Sequence, residues 1–143
     1  MNAAGSTFSG DWLALREAAD HRSRSAELVR VLDAWLRERG AGEPVIVDLG
    51  AGSGSNWRYL SARLQRPAVW RLLDHDAALL AAVQRGRGNP AVTTRVCDLG
   101  AAALAASVVG AAAVTASALL DLTSERWIAA LCAACAAHRA DRT

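Results

Sequence analysis

The run Val45-Ile46-Val47-Asp48-Leu49-Gly50-Ala51-Gly52-Ser53-Gly54-Ser55-Asn56 constrains the fold more than any other part of the chain. Three β-branched residues open it as a buried strand, an acid closes that strand, and glycines follow at alternate positions. The next segment, Trp57 to Leu64, reads as an amphipathic helix. Strand, glycine turn and helix, in that order, make a nucleotide-type pocket. The helix N-terminus presents unpaired N–H groups and a partial positive charge. Glycine lets the backbone turn sharply and approach a ligand without a Cβ clash.

Glycine spacing selects the ligand. A dinucleotide fingerprint is G-x-G-x-x-G, whose third glycine would stand at Ser55. Here the third glycine comes one residue earlier, and Asp48 lies two positions before the first. This pattern resembles motif I of the class I S-adenosylmethionine-dependent methyltransferases. The resemblance implies an α/β, Rossmann-like three-layer sandwich with a mostly parallel sheet. It also implies that Gly50, Ala51, Gly52, Gly54 and Asn56 belong to the cofactor-binding set, with the glycines around the amino-acid part of S-adenosylmethionine. An acid at Asp48 suits a cationic ligand and is a poor neighbour for a pyrophosphate. A glycine turn without a ligand and a nicotinamide or flavin site are the alternatives.

Further matches follow at the expected distances. Ala68 to Leu73 reads as a second strand ending in Asp74-His75-Asp76. An acid about 20 residues past a glycine loop is placed to bind ribose hydroxyls, so Asp74 is the ribose candidate. Asp76 reads as the N-cap of a helix over Ala77–Gln84. His75 lies either near the adenine or ribose or in a solvent-exposed turn. The cluster Gly86-Arg87-Gly88-Asn89-Pro90 breaks the chain into a turn. Val92 to Cys97 alternates like a third strand, followed by Asp98 and Leu99. The resemblance implies that Asp98 faces the adenine amino group and that Leu99 covers the ring. Asp98 is equally of the type that caps a following helix.

A fourth strand is expected over Ala111 to Ser117. By the same resemblance, the segment after it lies over the methionine end of the cofactor, with Ser117 and Ala118 lining the methyl-transfer opening. Asp121 occupies a position for an acceptor-side polar residue. It either positions or deprotonates the acceptor, or is a surface acid in a helical first turn. The acid usual near the start of strand four is missing, and Ala111 to Ala113 fill that stretch.

At 143 residues the chain is one domain at most, divided into an N-terminal helical cap (1–43) and a cofactor-binding Rossmann-like part (44–143). In the cap, Phe8 to Ala19 and Ser23 to Arg39 carry apolar residues at helical spacing, with Leu28, Val31, Leu32, Trp35 and Leu36 on one face. Asp11 is the expected cap of the first helix and Gly40 the expected end of the second. Arg16, His21, Arg22 and Arg24 lie between the two helices, and an arginine here is the candidate partner for the cofactor's carboxylate, with Arg16 the first choice. Every basic residue is arginine, which removes Schiff-base chemistry and a P-loop lysine. The arginines alternate with acids along the helices, so they read as solvated faces rather than a nucleic-acid stripe. No segment has the roughly 18 continuous apolar residues of a membrane span, and no signal peptide opens the chain. Three cysteines do not describe a disulfide framework, and a reducing cytoplasm is the expected setting. Cys132, Cys135 and His138 form C-x-x-C-x-x-H on a helical segment, which reads as small residues on a packed helix more readily than as a zinc site. No metal is expected.

Only four strands can be placed, in the order 3-2-1-4, followed by a helix from Ser124 to about Ala137. The sheet implied by the resemblance has seven. The expectation is a shortened or truncated domain in which the cofactor half is present and the substrate-selecting half is absent. Strand four then keeps an open apolar edge that invites association, through a homodimer or a complementing chain. The expected activity is methyl transfer from S-adenosylmethionine to a small-molecule acceptor. A non-catalytic S-adenosylmethionine-binding subunit is the first alternative, and an NAD(P)-binding oxidoreductase domain the second. Methyl transfer works mainly by proximity and orientation, so no catalytic set of side chains is required.

Overall fold

The computed structural model describes residues 9–39, 42–86 and 91–140. Two helices, α1 (Gly10–Ser23) and α2 (Ala26–Arg37), precede the first strand, β1 (Val45–Leu49). The chain then alternates through α3 (Ser55–Ser61), β2 (Val69–Asp74), α4 (Ala77–Gly86), β3 (Val92–Val96), α5 (Leu104–Ser107), β4 (Ala113–Ala116) and α6 (Glu125–Ala140). Short 3-10 turns at Ala101–Ala103 and Leu120–Leu122 lie before α5 and after β4.

The four strands are all parallel, in the order β3-β2-β1-β4. Asp48 stands opposite Leu72 on one side and Thr115 on the other. Alternation along β1 sorts the core into two layers. Ile46 faces α2, α3 and α4 together with Trp70, Leu72, Leu60 and Leu80. Val47 and Leu49 face α5 and α6 together with Leu73, Leu104 and Trp127. The result is the expected three-layer sandwich with order 3-2-1-4. Sheet polarity brings the C-terminal ends of all four strands to one side, which is where open α/β sheets bind ligands.

Several boundaries differ from the sequence reading. Ser9, not Asp11, caps α1: its hydroxyl accepts the Trp12 backbone N–H at 3.2 Å. Asp11 falls in the first turn, where its charge still complements the helix dipole. β4 is shorter than Ala111–Ser117, because the Ala111 N–H turns back to the Val108 carbonyl at 3.0 Å. Asp76 caps α4 as expected, accepting the N–H groups of Ala78 and Leu79 at 2.9 and 3.1 Å. The expected start at Phe8, the stop at Gly40 and the turn at residues 87–90 lie outside the described residues.

Two readings of side chains need correction. The apolar face of α2 is only partly covered: Leu36 is buried, but Leu28 and Val31 are 69% and 58% exposed. They flank β4, which among the described residues has a pairing partner on one side only. The arginines are not simply solvated faces either. Arg58 pairs through two nitrogens with Glu17 at 2.7 and 2.6 Å, fastening α1 to α3. Arg66 bonds the carbonyls of Leu36 and Arg39 at 2.6 and 2.8 Å, closing the end of α2.

Candidate functional site

The glycine bend forms because three successive turns of the backbone require left-handed φ angles. Gly50, Gly52 and Gly54 sit at φ +66°, +53° and +86°, a region where side chains with Cβ are disfavoured. Packing adds a second constraint at Gly54, where a Cβ would lie 3.1 Å from Val83 and 3.3 Å from Trp57. The bend is tied down by backbone bonds from Ala51 to the Leu73 carbonyl (3.0 Å) and from Gly54 to the Ala51 carbonyl (2.9 Å).

A cavity of about 310 Å³ opens between this bend, α1, the tip of β2 and the segment after β4. Of the residues singled out in the sequence, Gly50, Ala51, Gly52, Asn56, Asp74, His75, Leu99, Ser117, Ala118, Asp121 and Arg16 line it. Asp48, Gly54 and Asp98 do not. Gly54 belongs to the helix start behind the bend. Asp98 is exposed, and it does not cap the next helical turn, whose cap position is Gly100 without any side-chain bond.

Asp74 is buried and aimed at the bend. Its Oδ2 accepts the Gly52 N–H at 2.7 Å and its Oδ1 accepts the Asp76 N–H at 2.9 Å. Each carboxylate oxygen has a second lone pair, so two acceptor positions remain for a ligand. His75 is half exposed on the rim, with Nδ1 3.3 Å from Asp74 Oδ1. Leu99 is fully buried, and its carbonyl accepts the Trp127 indole N–H at 2.5 Å, which anchors the post-β3 segment to α6. Ala118 has φ +51°, the one non-glycine in that region among the described residues. Such strain persists where surrounding structure over-determines it, and is concentrated at functional sites. The next residue, Leu119, covers the bend: a Cβ at Gly50 would lie 3.0 Å from its Cδ1.

Asp48 plays a different part from the one its position suggests. It is buried beneath the bend, where its Oδ1 accepts Asn56 Nδ2 at 2.6 Å and the Thr115 hydroxyl at 2.8 Å, while Oδ2 has no partner. Burial pushes its carboxyl up to about 6. The bonds from Asn56 and Thr115 and the charge of Arg24 oppose that rise, and the charge of Asp74 adds to it.

Arg24, immediately after α1, is one of the arginines between the two helices, and it stands where the sequence reading put Arg16 first. It lines the cavity, its Nη1 donates to Asn56 Oδ1 at 2.5 Å, and its guanidinium lies 4.8 Å from the Tyr59 ring centre. Arg16 also lines the cavity but is engaged elsewhere, with Asp20 at 3.1 Å and over the Trp12 ring at 4.6 Å. No local pattern prefers Arg24 to its neighbouring arginines, because its partners lie more than thirty residues away.

On α6, Cys132 is exposed and Cys135 is half-buried, with burial pushing the Cys135 thiol up. A raised thiol disfavours the thiolate that metal binding needs. Among the described residues no group of three side chains is arranged to hold a metal. Among the described residues no helix is long and apolar enough to cross a membrane.

No family model matches the chain, and no curated protein matches it. Solved structures do. An S-adenosylmethionine-bound amino pentose methyltransferase, CalS10 of Micromonospora echinaspora, superposes with a TM-score of 0.55 at 20% identity, over 94% of this chain and 53% of that one. A putative S-adenosylmethionine-dependent methyltransferase of Methanococcus maripaludis gives 0.56 at 11% identity, over 92% and 61%. DesVI of Streptomyces venezuelae gives 0.53 at 17% identity, over 90% and 50%. The chain therefore has the fold of these proteins and spans between 50% and 61% of their lengths.

Proposed function

We propose that this chain binds S-adenosylmethionine in the cavity above the glycine bend and provides the cofactor half of a methyltransferase acting on a small-molecule acceptor. The observation that carries the reading is the convergence of the bend, the Asp74 carboxylate and the Ser117–Leu119 segment on one cavity. The donor set suits the group. Asp74 offers acceptors for ribose hydroxyls, and Arg24 offers a cation for a carboxylate. Acidic walls suit a sulfonium and would repel a pyrophosphate, which disfavours a dinucleotide. The space also fits, since a Cβ at Gly52 would project between the cavity residues Leu13 and Leu79, 3.9 Å from each.

When bound, S-adenosylmethionine supplies an electrophilic methyl group on its sulfonium. The chain's own residues then hold and orient. Asp74 and the bend fix the nucleoside, Arg24 the amino-acid end, and Ser117 and Ala118 border the opening through which an acceptor would approach. Asp121, in the 3-10 turn on the cavity wall, is placed to orient an acceptor or take its proton. The helices of residues 1–43 act as a cap, and α1 contributes one wall. The nearest setting for a chain with three free cysteines is the cytoplasm.

A second reading, favoured by the free edge of β4, is that turnover needs a partner. Beside that edge a groove of about 760 Å³ is lined by Leu28, Val31, Trp35, Ala112 and Val114. A second copy or a complementing chain would cover it. Binding and transfer are separable by experiment. Equilibrium dialysis with labelled S-adenosylmethionine should show binding that excess NAD does not displace, and displacement by NAD would contradict the proposal. Methyl transfer by the chain alone would remove the need for a partner.

A further inference from the structure

The buried polar groups beneath the cavity form one chain of hydrogen bonds. The Thr115 hydroxyl and Asn56 Nδ2 both donate to Asp48 Oδ1, and Arg24 Nη1 donates to Asn56 Oδ1. Asn56 Nδ2 also lies 3.2 Å from the Thr115 hydroxyl oxygen. A side-chain amide has one donor end and one acceptor end. Because Asp48 takes the donor end, the acceptor end of Asn56 is left facing Arg24. Asp48 itself never reaches the cavity wall, whereas Asn56 and Arg24 do. The Arg24 Nε is buried without a hydrogen-bond partner among the described residues, and Asn56 anchors the guanidinium through Nη1.

We infer that Asn56 is a positioning residue: it relays the charge of Asp48 to Arg24 and so holds the guanidinium ready for the carboxylate of an amino-acid-bearing ligand. This rests on the proposed S-adenosylmethionine site and adds how that site distinguishes ligands with and without a carboxylate. The relay depends on the protonation of Asp48. An ionised Asp48 accepts only. A protonated Asp48 keeps Oδ1 as an acceptor but loses the negative charge that strengthens the bonds from Asn56 and Thr115, so the pull passed through the Asn56 amide to Arg24 weakens. The charged and titratable groups around Asp48 are Arg24 from the end of α1 and Asp74 from β2, while α3 and β4 present the neutral Asn56 and Thr115. Burial raises the Asp48 carboxyl, which brings this change into an accessible pH range.

The test compares calorimetric affinities for S-adenosylmethionine and its decarboxylated analogue, which differ by the carboxylate alone. The wild type should favour S-adenosylmethionine by about tenfold or more at pH 7, and the preference should shrink towards pH 5. Asn56→Leu and Arg24→Met should each bring the ratio near one, the double variant should go no lower, and affinity for the decarboxylated ligand should stay within about threefold. Asp48→Asn should give a ratio that does not vary with pH. An unchanged preference in Asn56→Leu, or a wild-type ratio near one at pH 7, overturns the inference. If Asn56→Leu does not fold, Thr115→Val must move the midpoint of the pH profile upward, because it removes a bond that favours the ionised acid; an unmoved midpoint overturns the relay. If neither compound binds the wild type, the failure lies in the cofactor site itself.

Discussion

The two margins of β1 are built on opposite principles. Towards β2, the strand runs into a bend where a carboxylate from the neighbouring strand tip grips a backbone N–H at 2.7 Å, and where added atoms would collide with Val83 and Trp57. Towards β4, the last strand has one neighbour among the described residues, and large apolar side chains on α2 remain exposed beside it. Even the glycines differ. Gly110, before β4, has φ +74°, but its Cβ would meet only the end of the Arg71 side chain at 3.3 Å, and that arm can move. One margin is fixed by packing and polar pairing before any ligand arrives. The other carries an apolar groove lined by Leu28, Val31 and Trp35. On the proposed function, the strongly determined margin is the one that would hold the cofactor.

The largest test of this contrast is Gly54→Ala. It forces a side chain into left-handed φ and into Val83 and Trp57, and should cost about 2–4 kcal/mol in denaturant unfolding. A cost under about 1 kcal/mol would mean that the bend is not fixed as described. Next comes Asp48. Its carboxyl is raised from 3.8 to about 6 in the fold, so its contribution to stability is full below the unfolded value and is lost as pH rises through about 6. The difference of about 2 units corresponds to at most about 3 kcal/mol. Wild type should therefore lose stability relative to Asp48→Asn between pH 4 and pH 7, by up to that amount. Parallel unfolding curves for the two proteins across this range would contradict a buried carboxylate.

Smaller effects sharpen the comparison. Ala118→Gly relieves a left-handed alanine and should stabilise by about 1 kcal/mol, while loosening the rim and weakening ligand affinity; a destabilised variant would show that Ala118 is not strained. On the open margin, Leu28→Lys should change unfolding free energy by less than about 0.5 kcal/mol. It should also reduce self-association measured by sedimentation. A large destabilisation would place Leu28 in the core and remove the contrast.

The sequence carried the cavity-forming margin well, because its signals are local. Alternate glycines after a β-branched strand, an acid at the tip of the second strand and a capping acid two residues later all mark backbone conformations within a few residues. Non-local effects were hidden. Nothing in Ser23-Arg24-Ser25 announces that Arg24 will meet Asn56, since the packing of α1 against α3, through Glu17 with Arg58 and His21 with Ser55, brings them together. Asp48 lies in β1 just before the bend, and its strand parity turns it beneath α3 instead of into the cavity. Asp98 follows the third strand in register with the pattern, yet the exposed edge at β3 leaves it in solvent. The indole bond from Trp127 to the Leu99 carbonyl spans 28 residues and likewise had no local sign. The apolar stripe on α2 was legible as a stripe, whereas its partial exposure depends on what β4 lacks as a neighbour.

The measurement closest to the central claim is a calorimetric titration of S-adenosylhomocysteine into wild type and Asp74→Ala. Saturable one-to-one heat with the wild type, weakened at least about tenfold in Asp74→Ala, is the predicted result. No heat with the wild type, or the same affinity in both proteins, would contradict it.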